Sequence, residues 1–407
     1  MKCRGCYSDR TSLLLDLGHS PISNEFLDSH QLQEVEAHYP LKVRVCDLCG
    51  MVQIPEVTRK EALFSDNYVY FSSFSSSWLV HAKEYASRMI SEYGIMNDDL
   101  VLEVASNDGY LLQYFKSSGI KVLGVEPAKS VADVALARGI ETISEFFGKD
   151  LALRLRAAGV LPKLIVANNV LAHVPDIQDF VQGVSILLNG QGFATFEFPH
   201  LSNLIEHNQF DTVYHEHYSY LSIEALKPIF ASHNLDIFYV ENLNTHGGSL
   251  RLFVAPHNSR DIRTKEIQDL ESRELKWSPR NSTNAEELRF NAQKTKMDFL
   301  SELLTLKKLG KNVAGYGAAA KGNTLLNYCG IGSDLISYIV DRNPAKQGKF
   351  LPGSHIPVVP ESQLEINPPD VVIIFPWNLK DEIKSQLSAQ VGPDVKFMVT
   401  MPKVQFI

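Results

Sequence analysis

The sequence has no long apolar run, no basic cluster, no internal repeat and no low-complexity tract, and each absence excludes something. No stretch approaches the roughly 20 apolar residues of a membrane span, so no membrane association is expected. Net charge is −8 over 407 residues. With no run of lysine or arginine, that balance argues against a large phosphate-backbone footprint on nucleic acid. The opening "MKCRGCYSDR" holds no apolar signal-peptide core, and the expected compartment is the cytoplasm. What is present is ordinary for a soluble protein, 44% hydrophobic and 21% charged residues, in a chain long enough for two or three domains.

Cysteine is scarce too, five in all, yet four fall into two Cys-x-x-Cys pairs: Cys3 with Cys6 in "CRGC" and Cys46 with Cys49 in "CDLC". In a reducing compartment thiolates persist, and twinned pairs of this spacing are a zinc signal. Four cysteine ligands complete a tetrahedron and leave no open coordination position, so the expected zinc is structural. Gly50, which closes the second knuckle, is expected to let backbone amides approach the thiolates. Cys329 in "NYCGI" stands alone and reads as a small buried hydrophobe.

The zinc module is expected to take residues 1–66, with "YPLKVRVC" as a strand. An amphipathic helix follows over about 78–96, ending near Gly94. Then strands and helices alternate. "LVLEVAS", "KVLGVEP", "PKLIVANNV" and "GFATFEFP" read as strands, and "GYLLQYFKSSG", "SVADVALARG" and "IQDFVQGVSILLN" as helices. That rhythm specifies an α/β fold with a doubly wound parallel sheet, whose ligands bind at the carboxyl ends of the strands. "DIFYVENL" and "GSLRLFVAP" form an antiparallel pair around "NTHGG". Beyond a long helix over 284–309, a second, Rossmann-like α/β unit opens at "NVAGYGAAAKG". The expected boundaries are therefore 1–66, 67–262 and 263–407.

In the first α/β domain, Glu103 ends a strand and Ala105, Asn107 and Gly109 lie in a tight loop before a helix. A dinucleotide loop uses three glycines to admit a pyrophosphate to the helix N-terminus, and only Gly109 is present. An acid ending the next strand, Glu126, can accept both ribose hydroxyls, and this pattern suits S-adenosylmethionine. Asn168, at the end of "LIVAN", belongs with these cofactor candidates. So does Phe146 in "SEFF", placed to cover the adenine unless the ring is simply core.

The stretch "FDTVYHEHYSYLS" packs His215, Glu216 and His217 among tyrosines. A zincin needs His-Glu-x-x-His on one helix face, which consecutive residues do not provide. A strand would put His215 and His217 on one face and Tyr214, Glu216 and Tyr218 on the other, and no third metal ligand is evident nearby. An acid/base cluster and an aromatic core segment both remain open on spacing alone.

Taken together, the four-cysteine module, "LEVASNDGYLL", "NNVLAHVPD", "YHEHYSYLS", "HGGSLR" and "GYGAAAKG" resemble the three-domain sugar C-methyltransferases, which methylate C3 of nucleotide-linked 4-keto-6-deoxy sugars. The resemblance covers essentially the whole chain. It implies a class I methyltransferase domain that binds S-adenosylmethionine, and His217 as the base, with Tyr214 and Glu216 orienting it and holding the sugar. His173 in "VLAHVPD" is implied as the second active-site histidine. Tyr68 is implied as a connector tyrosine reaching the site, with Tyr70 a contact of the substrate. It assigns the C-terminal domain to the nucleotide of a dTDP- or GDP-type sugar.

Donors from Lys321 and Asn323 are expected beside the glycine loop formed by Gly315, Gly317 and Gly322. The resemblance also implies that "DRNPAKQGKFLPG", with Lys346, lies near the base and ribose. His246, Gly247 and Arg251 of "THGGSLR" are expected to complete the pocket, with the arginine pairing to phosphate. Asp341, at the next strand end, leaves an NAD-dependent sugar-nucleotide oxidoreductase compatible with spacing alone. A zinc-ribbon nucleic-acid-binding methyltransferase or adaptor is the other rival, disfavoured by the acidic balance. A monomer or weak homo-oligomer is expected.

Overall fold

The structure, a computed structural model, describes residues 1–57 and 71–407; Tyr68 and Tyr70 lie outside the described residues. Two compact units make up the chain. The first holds 1–11, 46–200 and 218–276; the second holds 12–45, 201–217 and 277–407. Neither is a continuous stretch. The earliest strands are β1 (Thr11–Ser20), β2 (Tyr39–Cys46) and β3 (Val52–Gln53).

In the first unit α1 (Ser76–Tyr93) begins where the Ser75 hydroxyl accepts from the Trp78 amide and ends at Gly94, whose φ of 66° only glycine adopts freely. Trp78, Ala82, Tyr85, Ala86 and Met89 recur at helical spacing and are its buried face. Then come β4 (Leu100–Val104), α2 (Leu112–Ser117), β5 (Lys121–Val125), α3 (Lys129–Ala137), β6 (Thr142–Ile143) and α4 (Lys149–Ala157). They are followed by β7 (Leu164–Asn168), α5 (Ile177–Leu188), β8 (Phe193–Pro199), β9 (Ser219–Tyr220) and α6 (Ile223–Ser232). The unit closes with β10 (Leu235–Leu243), β11 (Ser249–Pro256) and α7 (Thr264–Lys276).

The main sheet runs β10-β11-β8-β7-β4-β5-β6. Its strands are parallel except β11, which is antiparallel to both neighbours. This is the class I methyltransferase order, and the expected pairing of β10 with β11 is present. Alternate residues face opposite layers. Leu102, Val104, Ile165 and Ala167 pack with Phe180, Val184 and Phe196, whereas Val101, Leu164 and Val166 pack with Tyr85, Phe115 and Phe193. Cys3, Cys46 and Met51 join the first of these clusters, so the cysteine module shares the core of the sheet. Strand order reverses between β4 and β7, and the carboxyl ends there frame a ligand crevice.

In the second unit Asn281 caps α8 (Ser282–Lys308), accepting from the Thr283 amide at 2.9 Å. The Rossmann-like part comprises β12 (Val313–Tyr316), α9 (Ala320–Cys329), β13 (Ile339–Val340) and β14 (Val358–Val359). It continues through β15 (Val371–Ile374), α10 (Lys380–Val391), β16 (Lys396–Val399) and β17 (Gln405–Phe406). Sheet order is β14-β13-β12-β15-β16-β17, parallel except for the last strand. The sequence 3-2-1-4-5-6 is that of a doubly wound dinucleotide fold. Among the described residues no helix is long and apolar enough to cross a membrane.

Candidate active site

The four cysteines converge. Cys3 Sγ lies 3.4 Å from Cys49 Sγ and Cys6 Sγ 3.6 Å from Cys46 Sγ, and all four sulfurs fall within 4.8 Å of one another. A tetrahedron with bonds of about 2.3 Å has edges of about 3.8 Å, so the set fits zinc. These separations are far too long for disulfides. The hydrogen bond with Cys49 pulls the Cys3 thiol down to about 5, toward the thiolate a metal requires. Backbone amides approach the sulfurs at both knuckles, Gly5 at 3.3 Å from Cys3 Sγ and Met51, which follows Gly50, at Cys49; the Gly50 amide itself donates to the Cys46 carbonyl. Cys329 is buried in α9, as expected of a lone apolar cysteine.

At the β4–β7 switch point, Ala105, Asn107 and Gly109 all adopt left-handed φ, at 57°, 50° and 77°. Such alternation turns successive amides into a concave cradle. Glu126 is built into that loop: its two oxygens accept from the Asn107 amide at 3.0 Å and the Ala128 amide at 2.9 Å. Burial pushes its carboxyl up to about 7 despite those donors. Each carboxylate oxygen keeps a second lone pair for a ribose hydroxyl. Glu103 is fully buried, and burial raises its carboxyl well above the usual range.

Neither Glu103 oxygen nor either Asn168 amide atom makes a hydrogen bond of ordinary geometry among the described residues. The buried Tyr110 hydroxyl lies against both groups, and their remaining polar capacity at the carboxyl ends of β4 and β7 suits a polar ligand. Phe146 is half-buried beside Phe147, whose ring packs edge-on against Phe180. His173 is half-buried on the turn Leu171–His173 that follows β7.

The next strand end carries a closed network. Glu197 Oε2 accepts from Arg251 at 2.5 Å and lies 2.8 Å from His81 Nε2, while Thr245 Oγ1 donates to Oε1 at 2.9 Å. Arg251 also reaches Glu241 at 3.4 Å and stands 4.5 Å over the Tyr85 ring. Only 3% of it is exposed, so its guanidinium serves β8 and β10 and is not offered to a phosphate. His246 and Gly247 sit in the left-handed turn before β11, with the His246 ring edge-on to Trp78 at 4.9 Å.

In the second unit "YHEH" is neither helix nor strand; the His217 amide donates to the Tyr214 carbonyl in a tight turn. The turn separates the two histidines. His215 is 1% exposed and packs edge-on to Tyr39 at 6.0 Å, and burial lowers its pKa, so it is a neutral core residue. His217 is half-buried, with Nδ1 3.0 Å from the Thr212 carbonyl and Nε2 2.8 Å from the Tyr214 hydroxyl. A carbonyl only accepts, so Nδ1 carries the proton and the Nε2 lone pair accepts from Tyr214. Glu216 is 3% exposed; burial pushes its carboxyl up to about 7, and Asn24 donates to Oε1 at 3.0 Å.

The glycine loop departs from expectation. Gly315 and Gly317 donate their amides to the Tyr338 and Val340 carbonyls, and Ala318 donates to Asp341 Oδ2 at 2.8 Å. Close packing explains the glycines: a Cβ at Gly317 would meet Pro376 at 2.4 Å, and one at Gly322 would meet Phe375 at 2.8 Å. Lys346 joins Asp341 there, donating to the Ala318 carbonyl at 2.8 Å. Lys321 Nζ donates to Asn378 Oδ1 at 2.7 Å and lies 4.6 Å over the Trp377 ring. Trp377 Nε1 in turn donates to the buried Asp211, whose carboxyl burial pushes up to about 6. Asn323 is fully buried, its amide toward the Ser23 carbonyl at 3.5 Å, a packing role rather than a ligand donor. No motif marks Asn24 or Asp211, so their contacts with Glu216 and Trp377 were not legible in the sequence. Their partners stand 192 and 166 positions away.

Fold and sites define the class: a methyltransferase sheet with a cysteine metal module in its core. Family models divide the chain as a "Putative zinc binding domain" at 3–64, a "Methyltransferase domain" at 79–240 and a "C-methyltransferase C-terminal domain" at 244–402. C-methyltransferase NovU of Streptomyces niveus is 32% identical over 406 residues, covering 100% of this chain and 96% of that protein. The chain therefore belongs to the C-methyltransferase family and is an S-adenosylmethionine-dependent enzyme of that class.

Solved structures are more distant. An S-adenosylmethionine-dependent methyltransferase of Anabaena variabilis has 12% identity and a TM-score of 0.37, over 50% of this chain and 100% of that one. Magnesium protoporphyrin IX methyltransferase of Synechocystis PCC 6803 has 12% identity and a TM-score of 0.35, over 48% and 88%. Neither bears on the assignment.

Proposed function

We propose that the protein methylates C3 of a nucleotide-linked 4-keto-6-deoxy sugar, of the dTDP or GDP type. In this reading residues 1–66 form the zinc module, 67–262 bind S-adenosylmethionine and 263–407 hold the sugar nucleotide. The observation that carries it is His217, a half-buried imidazole whose Nδ1–H is fixed on the Thr212 carbonyl and whose Nε2 is an acceptor. Carbon is a poor nucleophile until deprotonated, and a C4 ketone lets the resulting electron pair delocalise as an enolate.

His217 Nε2 takes the C3 proton. The Tyr214 hydroxyl holds Nε2 in acceptor form until the sugar enters, and Glu216 orients the sugar from the same turn. His173 is the donor for the ketone oxygen or its neighbouring hydroxyl as negative charge develops there. Tyr68, a further catalytic candidate, and Tyr70 complete the proposed contacts from the connector. S-adenosylmethionine, when bound, supplies a sulfonium methyl that accepts the carbon electron pair as its C–S bond breaks. Glu126, Glu103, Asn168 and the loop Ala105–Gly109 would hold it, with Phe146 over the adenine. Asp341 and Lys346 support the nucleotide assignment because the fold brings them together at the glycine loop.

The test is mass spectrometry of a panel of nucleotide 4-keto-6-deoxy sugars, deuterated at C3 or at C5, incubated with protein and S-adenosylmethionine. The expected result is a gain of one methylene, an equal yield of S-adenosylhomocysteine and loss of the C3 deuterium. Since a C4 ketone also acidifies C5, loss of the C5 label instead would move the reaction across the ketone. No gain with any member of the panel would overturn the substrate class.

A further inference from the structure

We infer that Asn24, in the segment after β1, is a positioning residue for the acid/base turn, holding the Glu216 carboxylate through its side-chain amide. This rests on the proposed role of residues 214–217. The contact is a 3.0 Å hydrogen bond from Asn24 Nδ2 to Glu216 Oε1.

The segment around Asn24 is pinned on both sides within the second unit. On one side, Ser23 Oγ is 3.5 Å from Thr324 Oγ1, and the same Thr324 hydroxyl donates at 3.0 Å to the carbonyl of Val213, the residue before Tyr214. One side chain of α9 therefore ties the strap and the start of the catalytic turn to a common point. On the other side, Leu27 and Phe350 exchange both backbone hydrogen bonds, at 3.0 and 2.8 Å. Pro21 lies against Gly353, where an added Cβ would meet its ring at 3.0 Å. An amide held from both ends presents its N–H at little further entropic cost, the requirement for a group that supports a reactive side chain.

The sign of the effect follows from charge. An N–H donor favours carboxylate over carboxylic acid, whereas burial favours the acid. Burial wins at Glu216, whose carboxyl sits at about 7 even with the Asn24 amide in place. Glu25 of the strap adds like charge in the same direction, and His215 and His217 flank Glu216 on its own segment. Asn24 therefore sets how much of Glu216 is ionised near neutrality. Loss of the amide raises the carboxyl further, and turnover that needs the carboxylate shifts to higher pH.

The test titrates Glu216 directly in the full chain without substrate, as the carboxyl infrared band that Glu216→Gln removes. In Asn24→Leu, or in Asn24→Ala should the first not fold, its midpoint is expected to rise by about one pH unit, the scale of one hydrogen bond to a charged group. The acid limb of kcat against pH is expected to move with it and the high-pH plateau to be kept. Ser23→Ala removes the long hydroxyl contact to Thr324 but keeps the Leu27–Phe350 pair and the Asn24 amide, and is expected to leave the midpoint in place. A folded Asn24 variant whose midpoint does not move overturns the inference. If instead the midpoint moves but Glu216→Gln keeps full turnover, the acid/base reading of the turn is what fails, and the positioning role falls with it.

Discussion

Glu197 at the end of β8 and Glu216 in the turn before β9 are both buried glutamates associated with histidines, yet the fold drives them in opposite directions. At Glu197 burial alone would raise the carboxyl, but the Arg251 charge and hydrogen bonds from His81 and Thr245 bring it down to about 2. At Glu216 burial outweighs the Asn24 amide and nearby backbone, and the carboxyl sits at about 7. The first is a fixed charge with every demand met, which suits a structural joint between strands. The second changes protonation near working pH, which suits a reaction. The Arg251 cation and the two hydrogen bonds together outweigh burial at Glu197, whereas burial prevails at Glu216, and two carboxyls pushed apart in this way suit different roles.

The largest expected effect that sharpens this contrast is on turnover. His217→Asn should reduce kcat by roughly 10²- to 10⁴-fold, the usual contribution of a positioned base, with S-adenosylmethionine affinity by calorimetry near that of the parent. A variant with unchanged kcat would remove His217 from the base role. Next is Arg251→Met, which leaves Glu197 buried without its cation. A loss on the order of 3–5 kcal/mol is expected, read by denaturant melting, and a loss below about 1 kcal/mol would break the structural half of the comparison.

The pH dependence of stability gives the third test. Glu197 titrates lower in the folded chain than in the unfolded one, so its contribution, on the order of 3 kcal/mol, is present above pH 4.5 and lost as pH falls toward 2. Glu216 has the reverse sign. Between pH 4.5 and 7 the folded state holds its proton and the unfolded chain does not, so stability falls as pH rises. Glu126 adds to that window, and so does Asp211 up to about pH 6. Chemical melts at pH 3, 5 and 7 should show the acid loss in the parent but not in Glu197→Gln. The smallest effect is on Glu216→Gln, an isostere of the protonated form, expected to stay within about 1 kcal/mol of the parent in stability while its turnover falls. Comparable destabilisation by the two glutamine variants would erase the distinction.

Much of the fold was legible because its signals are local. The alternation of strands and helices from Leu100 onward, the Gly94 cap and the β10–β11 hairpin each lie within a few residues of their determinants. The cysteine module was legible because metal ligation restricts both residue type and spacing. The site was legible only in part. Read as a strand, "YHEH" would put its two histidines on one face, whereas the turn buries His215 in the core and leaves His217 half-buried. Arg251 looked like a phosphate ligand and is held by Glu197 and Glu241, which lie across the sheet from it and leave its guanidinium 3% exposed.

The sequence by itself determined the α/β architecture and the metal ligands, since hydrophobic period, turn residues and paired thiols act over short range, and its motifs together resembled a family with a known class of chemistry. Tertiary structure alone decided which of the two histidines flanking Glu216 is buried in the core, which glutamate is pushed down and which up, and that Asn24 meets a carboxylate 192 positions away. Burial and long-range hydrogen bonds set those outcomes, and neither exists until the chain has folded.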